Sequence, residues 1–200
     1  MASNKPLTRA DLWSLEDYSE RRADFRAEVM AHKKHRKVAL GPHATLYFED
    51  ALTMKYQIQE MLRVEKIFTT AEIEEELATY NPLVPDGTNW KATFMIEYAD
   101  AEERRVALNT MAGIEHRVWV AIHKNGDEGE KNYAIANEDM DRSTDEKAAA
   151  VHFMRFELSP ENISTIEAGR RISMGIDHPA LPYVVDVEGP TADSLAADLT

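Results

Sequence analysis

The order of the predicted elements constrains the fold of this chain more than any other feature. Capped helical patterns dominate the first 80 residues, with one predicted hairpin between them, and short β-branched or aromatic runs separated by turn residues follow. Helices followed by strands that short turns connect are typical of an α+β fold. We therefore expect N-terminal helices packed on a mainly antiparallel sheet, with further helices in the second half.

The three N-terminal helices carry local start signals. Ser14 precedes a helix that runs from Leu15 to about His35, and Asp50 precedes a second that runs from Ala51 to about Phe68. Thr69 and Glu72 form a capping box for a third helix, which ends near Tyr80. Capping satisfies the free N–H groups of a first turn, so these starts are well defined.

The rest of the chain alternates short strands and helices. Gly41-Pro42 separates the two strands of a predicted hairpin, and Asn125-Gly126 predicts a turn. The polar residues 137–147 predict a surface loop. We expect a single domain over residues 1–187 and a flexible tail over 188–200. The predicted strands cover Lys37–Leu40, Ala44–Glu49, Trp90–Tyr98, Arg117–His123, Tyr133–Ala136, Val151–Leu158 and Ile172–Ile176, and the predicted helices cover Ala101–Met111 and the residues after Ser159-Pro160.

Composition excludes several classes of protein. The chain has 200 residues, of which 44% are hydrophobic and 30% charged, as in ordinary globular domains. Because it has no cysteine, disulfides, thiolate nucleophiles and cysteine-held metal clusters are excluded. It has no apolar run of membrane-spanning length and no secretion signal, so we expect a cytoplasmic protein. Walker, GxGxxG, HExxH and GxSxG motifs are also absent.

Charge is unevenly distributed along the chain. The formal net charge is -13, which opposes nucleic-acid binding because that affinity depends on neutralising phosphates. Up to Phe48, nine Lys and Arg outnumber six Asp and Glu, whereas the remainder has 14 against 30. The basic run 32–37 ends the first helix, where cations favour the helix dipole. The alternative is that this run binds an acidic partner or a phosphate.

Helical periodicity places polar residues among apolar ones on the first two long helices. Arg22 and Arg26 share an arc with Leu15 and its apolar neighbours, and Gln57 and Glu65 interrupt the apolar side of the second helix. A charge that faces a core must be paired, which predicts a contact of Arg22 or Arg26 with Glu65. The alternative is a polar pocket in which Arg22, Arg26 and Gln57 bind an anionic ligand.

Scattered histidines and carboxylates form the remaining chemical signal. Neutral imidazoles with a carboxylate can bind Fe, Mn or Zn, and an open coordination position would permit redox or hydrolytic chemistry. The predicted ligands are His43, Glu49, His152 and His178, with Glu60 or Glu65 as the acid–base group. The alternative is that His43 and His178 hydrogen-bond backbone in turns, and that His152 is a half-buried strand residue.

Several ordered segments resemble an uncharacterised bacterial family, the domain of unknown function 3501. The likeness extends from about Thr8 to Tyr183, and the segments that carry it are Ala31–Lys34, Val38–His43, Phe48–Asp50, Tyr56–Arg63, Tyr80–Leu83, Val151–Phe153 and Gly175–Pro179. The resemblance implies a small cytosolic protein whose relatives are associated with genes for rubrerythrin-like and iron–sulfur oxidoreductase proteins. It implies a role near iron-dependent redox or peroxide handling and assigns no catalytic residue.

Three functions follow as hypotheses. The first is an accessory or binding module in an iron-linked redox system, which contacts an oxidoreductase through the acidic half or the basic helix end. The second is a metal-dependent hydrolase or oxidoreductase that uses the predicted His and Glu ligands. The third is a metal-free enzyme that uses Arg and Glu on an acidic metabolite.

Overall fold

The protein combines six helices with two antiparallel sheets in the part of the chain that its computed structural model describes, residues 5–124, 129–138, 143–144, 147–169 and 171–199. This confirms the α+β prediction. The predicted turn at Asn125-Gly126 and part of the predicted loop 137–147 lie outside the described residues. The helices are α1 (Leu15–Lys33), α2 (Ala51–Glu65), α3 (Thr70–Tyr80), α4 (Ala101–Leu108), α5 (Pro160–Glu167) and α6 (Gly189–Ala196).

The strands form a five-stranded and a four-stranded sheet. The first sheet has the order β1-β2-β3-β7-β6 and the second β5-β4-β8-β9, and each described pair is antiparallel. The strands are β1 (Lys37–Ala39), β2 (Ala44–Glu49), β3 (Asn89–Ile96), β4 (Val118–Ile122), β5 (Lys131–Tyr133), β6 (Ile135–Ala136), β7 (Val151–Glu157), β8 (Ile172–Ile176) and β9 (Tyr183–Val187).

The helix caps form where the sequence predicts them. The Ser14 side chain accepts a hydrogen bond from the Asp17 N–H at the start of α1. Asp50 and Thr53 form a reciprocal capping box at the start of α2, and both residues are buried. Thr69 caps α3 through the Glu72 N–H. These side-chain contacts fix the first turns of the three helices.

The two sheets bury one face each in a shared core. Alternate residues of β3, including Trp90 and Phe94, belong to the same buried cluster as Ile172 and Met174 of β8. Successive side chains of a strand point to opposite faces, so the intervening residues of the five-stranded sheet form its outer face. Helix α2 packs against α1 and against α3 around smaller clusters that include Phe25 and Ile58.

The C-terminal residues differ from the predicted flexible tail. Residues 189–196 form helix α6, and Leu195 and Leu199 are buried. The Trp90 indole N–H donates to the Leu195 carbonyl oxygen at 2.9 Å, which joins α6 to the sheet. A helix of eight residues is too short to be stable alone, so contacts with distant residues stabilise it.

None of the helices in the described ranges is both long enough and apolar enough to span a membrane.

Candidate functional site

The structure gives two of the predicted metal ligands backbone partners in turns. His43 Nδ1 lies 3.1 Å from the Glu97 carbonyl oxygen, and the ring stacks on Tyr98. His178 Nε2 lies 3.3 Å from the Ala112 carbonyl oxygen, and its Nδ1 accepts a hydrogen bond from the Ala180 N–H. These contacts match the structural alternative that the sequence left open for both residues.

The other two predicted ligands lie on opposite faces of one sheet. His152 points into the core from β7 opposite Phe94, is completely buried, and has Nε2 3.0 Å from the Ala149 carbonyl oxygen. Glu49 follows core-facing Phe48 and therefore belongs to the outer face, where the Thr93 hydroxyl donates to it at 2.9 Å. Glu49 and His152 therefore cannot bind one ion together.

Metal binding finds no support in the described part of the chain. Within it, no three His, Asp or Glu side chains lie close enough together to hold an ion. The fold distributes the four predicted ligands over two turns and two sheet faces. The face on which a strand residue lies depends on how the strands pair, and sequence spacing alone does not indicate that pairing.

The polar residues of the helix pair form an ion pair with a different partner from the predicted one. Arg22, on α1, binds Glu60, on α2, through two hydrogen bonds of 2.7 and 2.9 Å, and the Tyr18 hydroxyl donates to Glu60 at 2.6 Å. The hydrogen bonds from Arg22 hold the pKa of Glu60 down at about 2. Glu60 is therefore a structural carboxylate in this arrangement, because its oxygens are engaged by donors.

The remaining residues of that prediction do not join this pair. Arg26 and Glu65 are exposed, and Gln57 is half-buried. The predicted contact with Glu65 is wrong: Arg22 binds Glu60, five positions earlier on α2, because helical periodicity does not indicate which turns of two packed helices meet. The exposed surroundings of Arg26 and Glu65 do not provide the enclosed walls that a ligand pocket requires.

The basic run at the end of α1 contributes to a buried network. Arg36 is 2% exposed and makes two hydrogen bonds to Asp198, which is 1% exposed, at 3.1 and 2.6 Å. His32 Nε2 lies 2.5 Å from Asp50, which is also 3.3 Å from the Arg36 Nε. Burial raises the pKa of Asp198 to about 6 despite the adjacent guanidinium. Two of the six residues in this run, His32 and Arg36, therefore make structural contacts.

A histidine that follows β4 and a serine of β8 form a pair whose hydrogen-bond direction opposes nucleophilic catalysis. His123 Nε2 lies 2.6 Å from the Ser173 hydroxyl, and the Gly129 N–H donates to His123 Nδ1 at 3.3 Å. Because Nδ1 accepts that bond, the ring proton is on Nε2, which donates to the serine. A base that activates serine must instead accept its proton, so this pair does not have the required tautomer.

A polar cavity opens beside the start of β4, and we name it the Glu115 cavity. Its described lining comes from Glu115 and His116 of a 3-10 turn with the preceding Ala112 and Gly113, from Ala136 and Asn137 at the end of β6, and from Ser143 and Thr144. The cavity has a volume of about 430 Å³. Gly113 and Asn137 both have positive φ angles, of 76° and 57°, which turn the chain around the opening.

Glu115 has an unusual position on the wall of this cavity. The residue is 3% exposed, and its Oε2 atom has no hydrogen-bond partner among the residues that the structure describes. Buried polar groups nearly always have partners, and an unpaired one costs about 1–3 kcal/mol, or more when it is charged. Glu115 lines the cavity while its Oε2 is itself buried, so a donor that reached this oxygen from the cavity would satisfy it.

Two predicted histidines support the walls of the Glu115 cavity. His152 Nδ1 lies 3.3 Å from the Asn137 side-chain oxygen, and His178 contacts the Ala112 carbonyl oxygen. Both partners line the cavity. Sequence reasoning thus found residues next to the site and missed Glu115, which no motif or spacing distinguishes from other surface-type glutamates.

This α+β chain with its polar cavity belongs to a family of proteins of unknown function. It matches the family described as "Protein of unknown function (DUF3501)" over residues 6–199. It is also similar to a crystal structure, at 1.90 Å resolution, of a novel protein of unknown function from Burkholderia pseudomallei K96243. The two share 46% identity with a TM-score of 0.90, over 98% of this chain and 100% of the other. No curated protein matches the chain.

Proposed function

We propose that this protein binds a small polar molecule in the Glu115 cavity and that the molecule presents a positively charged donor to Glu115. The observation that supports this is the buried and unpartnered Oε2 of Glu115. An ionised carboxylate only accepts hydrogen bonds, so its complement is an ammonium or guanidinium group. The cavity volume of about 430 Å³ suits a small metabolite.

The polar lining supports a ligand with several hydrogen-bonding groups. The amide of Asn137 can donate and accept, and the hydroxyl of Thr144 can do the same. The Ser143 hydroxyl accepts from the Ala149 N–H at 3.1 Å and keeps its proton for another acceptor. A cationic group at Glu115 and neutral polar groups at Asn137, Ser143 and Thr144 would therefore define an amine-bearing ligand.

Binding rather than catalysis is the better-supported activity. The described lining residues include no hydrogen-bonded serine–histidine pair and no group of metal ligands. Catalysis needs a nucleophile or acid–base group held next to the reacting atom with its own positioning partner. The metal-dependent alternative also lacks a set of three ligands among the residues that the structure describes.

The test uses 1,4-diaminobutane and methylguanidinium as cationic probes. A saturating probe should raise the melting temperature of the wild type by several degrees, since a ligand at about 100 Kd adds roughly 2.7 kcal/mol of stability. Glu115→Gln removes the charge with little change in shape and should abolish the shift. Glu103→Gln, at an exposed position of α4, is the matched control and should keep it.

The outcome that contradicts the proposal is equally specific. If neither probe stabilises the wild type, or if Glu115→Gln responds as strongly as Glu103→Gln, then the carboxylate does not bind a cationic donor. Repeating the titration at about 0.5 M salt distinguishes a buried contact from nonspecific attraction to an acidic protein, because salt screens exposed charges much more than buried ones.

We also propose, on separate grounds, that the protein serves as an accessory module of an iron-linked redox or peroxide-stress system. The family resemblance and the acidic portion of the chain after Phe48 support this role, since an acidic surface suits a basic partner. An oxidoreductase retained from cell lysate at low salt and released at high salt would agree with it. Failure to retain any oxidoreductase at either salt concentration would count against it.

A further inference from the structure

A second cavity lies between the end of α3 and the outer face of the five-stranded sheet. Tyr80, Pro82 and Leu83 form one wall, and Phe153 of β7 lies on the sheet side. The cavity has a volume of about 420 Å³. We name it the Lys91 cavity after the lysine that lines it from β3.

Lys91 is the available cation of this cavity. It lies between Glu49 and Arg155 in the sheet register and is half-buried. Its amino group forms no ion pair with any residue in the described ranges. Burial and the Arg155 charge lower the pKa of Lys91, against the more distant charges of Glu138, Asp86 and Glu157. A partly desolvated ammonium with no direct ion pair is unfavourable, and an anion bound in contact with it would relieve that cost.

Arg155 has its guanidinium occupied by protein carboxylates. It binds Glu138 through hydrogen bonds of 2.8 and 2.7 Å and also pairs with Glu157. These contacts neutralise Arg155 and hold it in place. The guanidinium therefore contributes a wall, and the Lys91 amino group, which makes no ion pair with the described residues, is the cation left to contact a ligand.

We propose that the Lys91 cavity binds an amphipathic anion, a small carboxylate with an aromatic or aliphatic body. The carboxylate pairs with Lys91, and the body packs against Tyr80, Leu83 and Phe153. Pockets of this kind bury most of an apolar body and fix its orientation with few polar groups. The site differs from the Glu115 cavity in its residues and in the sign of the ligand charge, so either proposal can fail without the other.

The test measures binding of 4-phenylbutyrate and hexanoate to the full chain by titration calorimetry. We expect Lys91→Met to weaken both by at least about tenfold, as loss of a desolvated ion pair does, and Lys91→Arg to retain most of the affinity. Lys37→Met, at an exposed position of β1 in the same sheet, is the control and should bind within about twofold of the wild type. The neutral analogue 4-phenylbutanamide should bind as weakly as the anion binds to Lys91→Met.

A second readout follows the lysine itself. Bound anion should raise the pKa of Lys91, which carbon-13 NMR of the lysine side chain can report with and without 4-phenylbutyrate. The proposal is overturned if neither anion binds saturably at about 10 mM, if Lys91→Met binds like the wild type, or if the amide binds as well as the carboxylate. An unchanged pKa of Lys91 in the presence of bound ligand would overturn it as well.

Discussion

Replacing Glu115 by glutamine should stabilise the ligand-free protein, although most substitutions of buried residues destabilise. Glu115 is 3% exposed, and one of its carboxylate oxygens has no partner among the described residues. Burial of an unpaired charge costs several kcal/mol, whereas a neutral amide in the same place costs about 1–3 kcal/mol. Glutamine has nearly the same shape, so we expect a gain of about 1–2 kcal/mol in the free energy of unfolding.

Urea unfolding at pH 7 of protein purified without added amines measures this gain. The midpoint should rise without a change in the denaturant slope, which indicates that stability and not compactness has changed. For a chain of this size, the melting temperature should rise by roughly 2–8 °C. Glu115→Met removes the polar atoms altogether and should stabilise at least as much, while the exposed control Glu103→Gln should change stability by less than about 0.5 kcal/mol.

A loss of stability would refute the reasoning. If Glu115→Gln and Glu115→Met both lose about 1 kcal/mol or more, the carboxylate has a structural partner and is not kept for a ligand. The combination of a gain in stability and a loss of ligand response is typical of a functional residue, because binding sites retain groups that the free fold would otherwise replace.

Three further substitutions test other parts of the account. Arg36→Met leaves Asp198 buried without its cation and should cost about 3–5 kcal/mol in urea unfolding; a cost below about 1 kcal/mol would show that the network contributes little. Glu60 has a pKa lowered to about 2 from 4.5, so its contribution is present above pH 4.5 and lost as the pH falls towards 2. Arg22→Met should therefore flatten the decline of melting temperature over that range, and an unchanged decline would contradict the pairing. Gly175→Ala places a methyl group 2.7 Å from a backbone oxygen of β9 and should lower the melting temperature by several degrees, whereas an unchanged value would mean that the sheet adapts.

Local signals predicted the helices well. Ser14, Asp50 and Thr69 each cap the helix that their sequence position indicates, because capping acts within one turn and needs no distant partner. The hairpin around Gly41 also forms, since Gly41 adopts a φ of 80° that other residues rarely adopt. These features depend on neighbouring residues and can therefore be predicted from the sequence.

Features that depend on distant contacts could not be predicted in this way. The hydrogen bond from Trp90 to Leu195 joins helix α6 to the sheet. The ion pair of Arg36 with Asp198 joins the residues just after α6 to the residue before β1. The residues of this ion pair are 162 positions apart. A basic run after a helix gives no sign that one of its members enters the core, because burial of a charge depends on the partner that the fold supplies.

The candidate site shows the same limit. Glu49 and His152 look equivalent as metal ligands in the sequence, and strand pairing places them on opposite faces of a sheet. Glu115 carries no local signal, since it lies in no motif and its burial arises from the packing of the turn that contains it. The residues that matter most for the proposed function could therefore be identified only from the folded structure.

The most direct test of the Glu115 cavity follows backbone amides by nitrogen-15 NMR during a titration with 1,4-diaminobutane. We expect saturable shifts concentrated at residues 112–116 and 136–137, with those shifts absent in Glu115→Gln and retained in Lys91→Met. Shifts that are equally large in Glu115→Gln, or that occur mainly away from these two segments, would contradict the assignment of this cavity as a binding site for a cationic ligand.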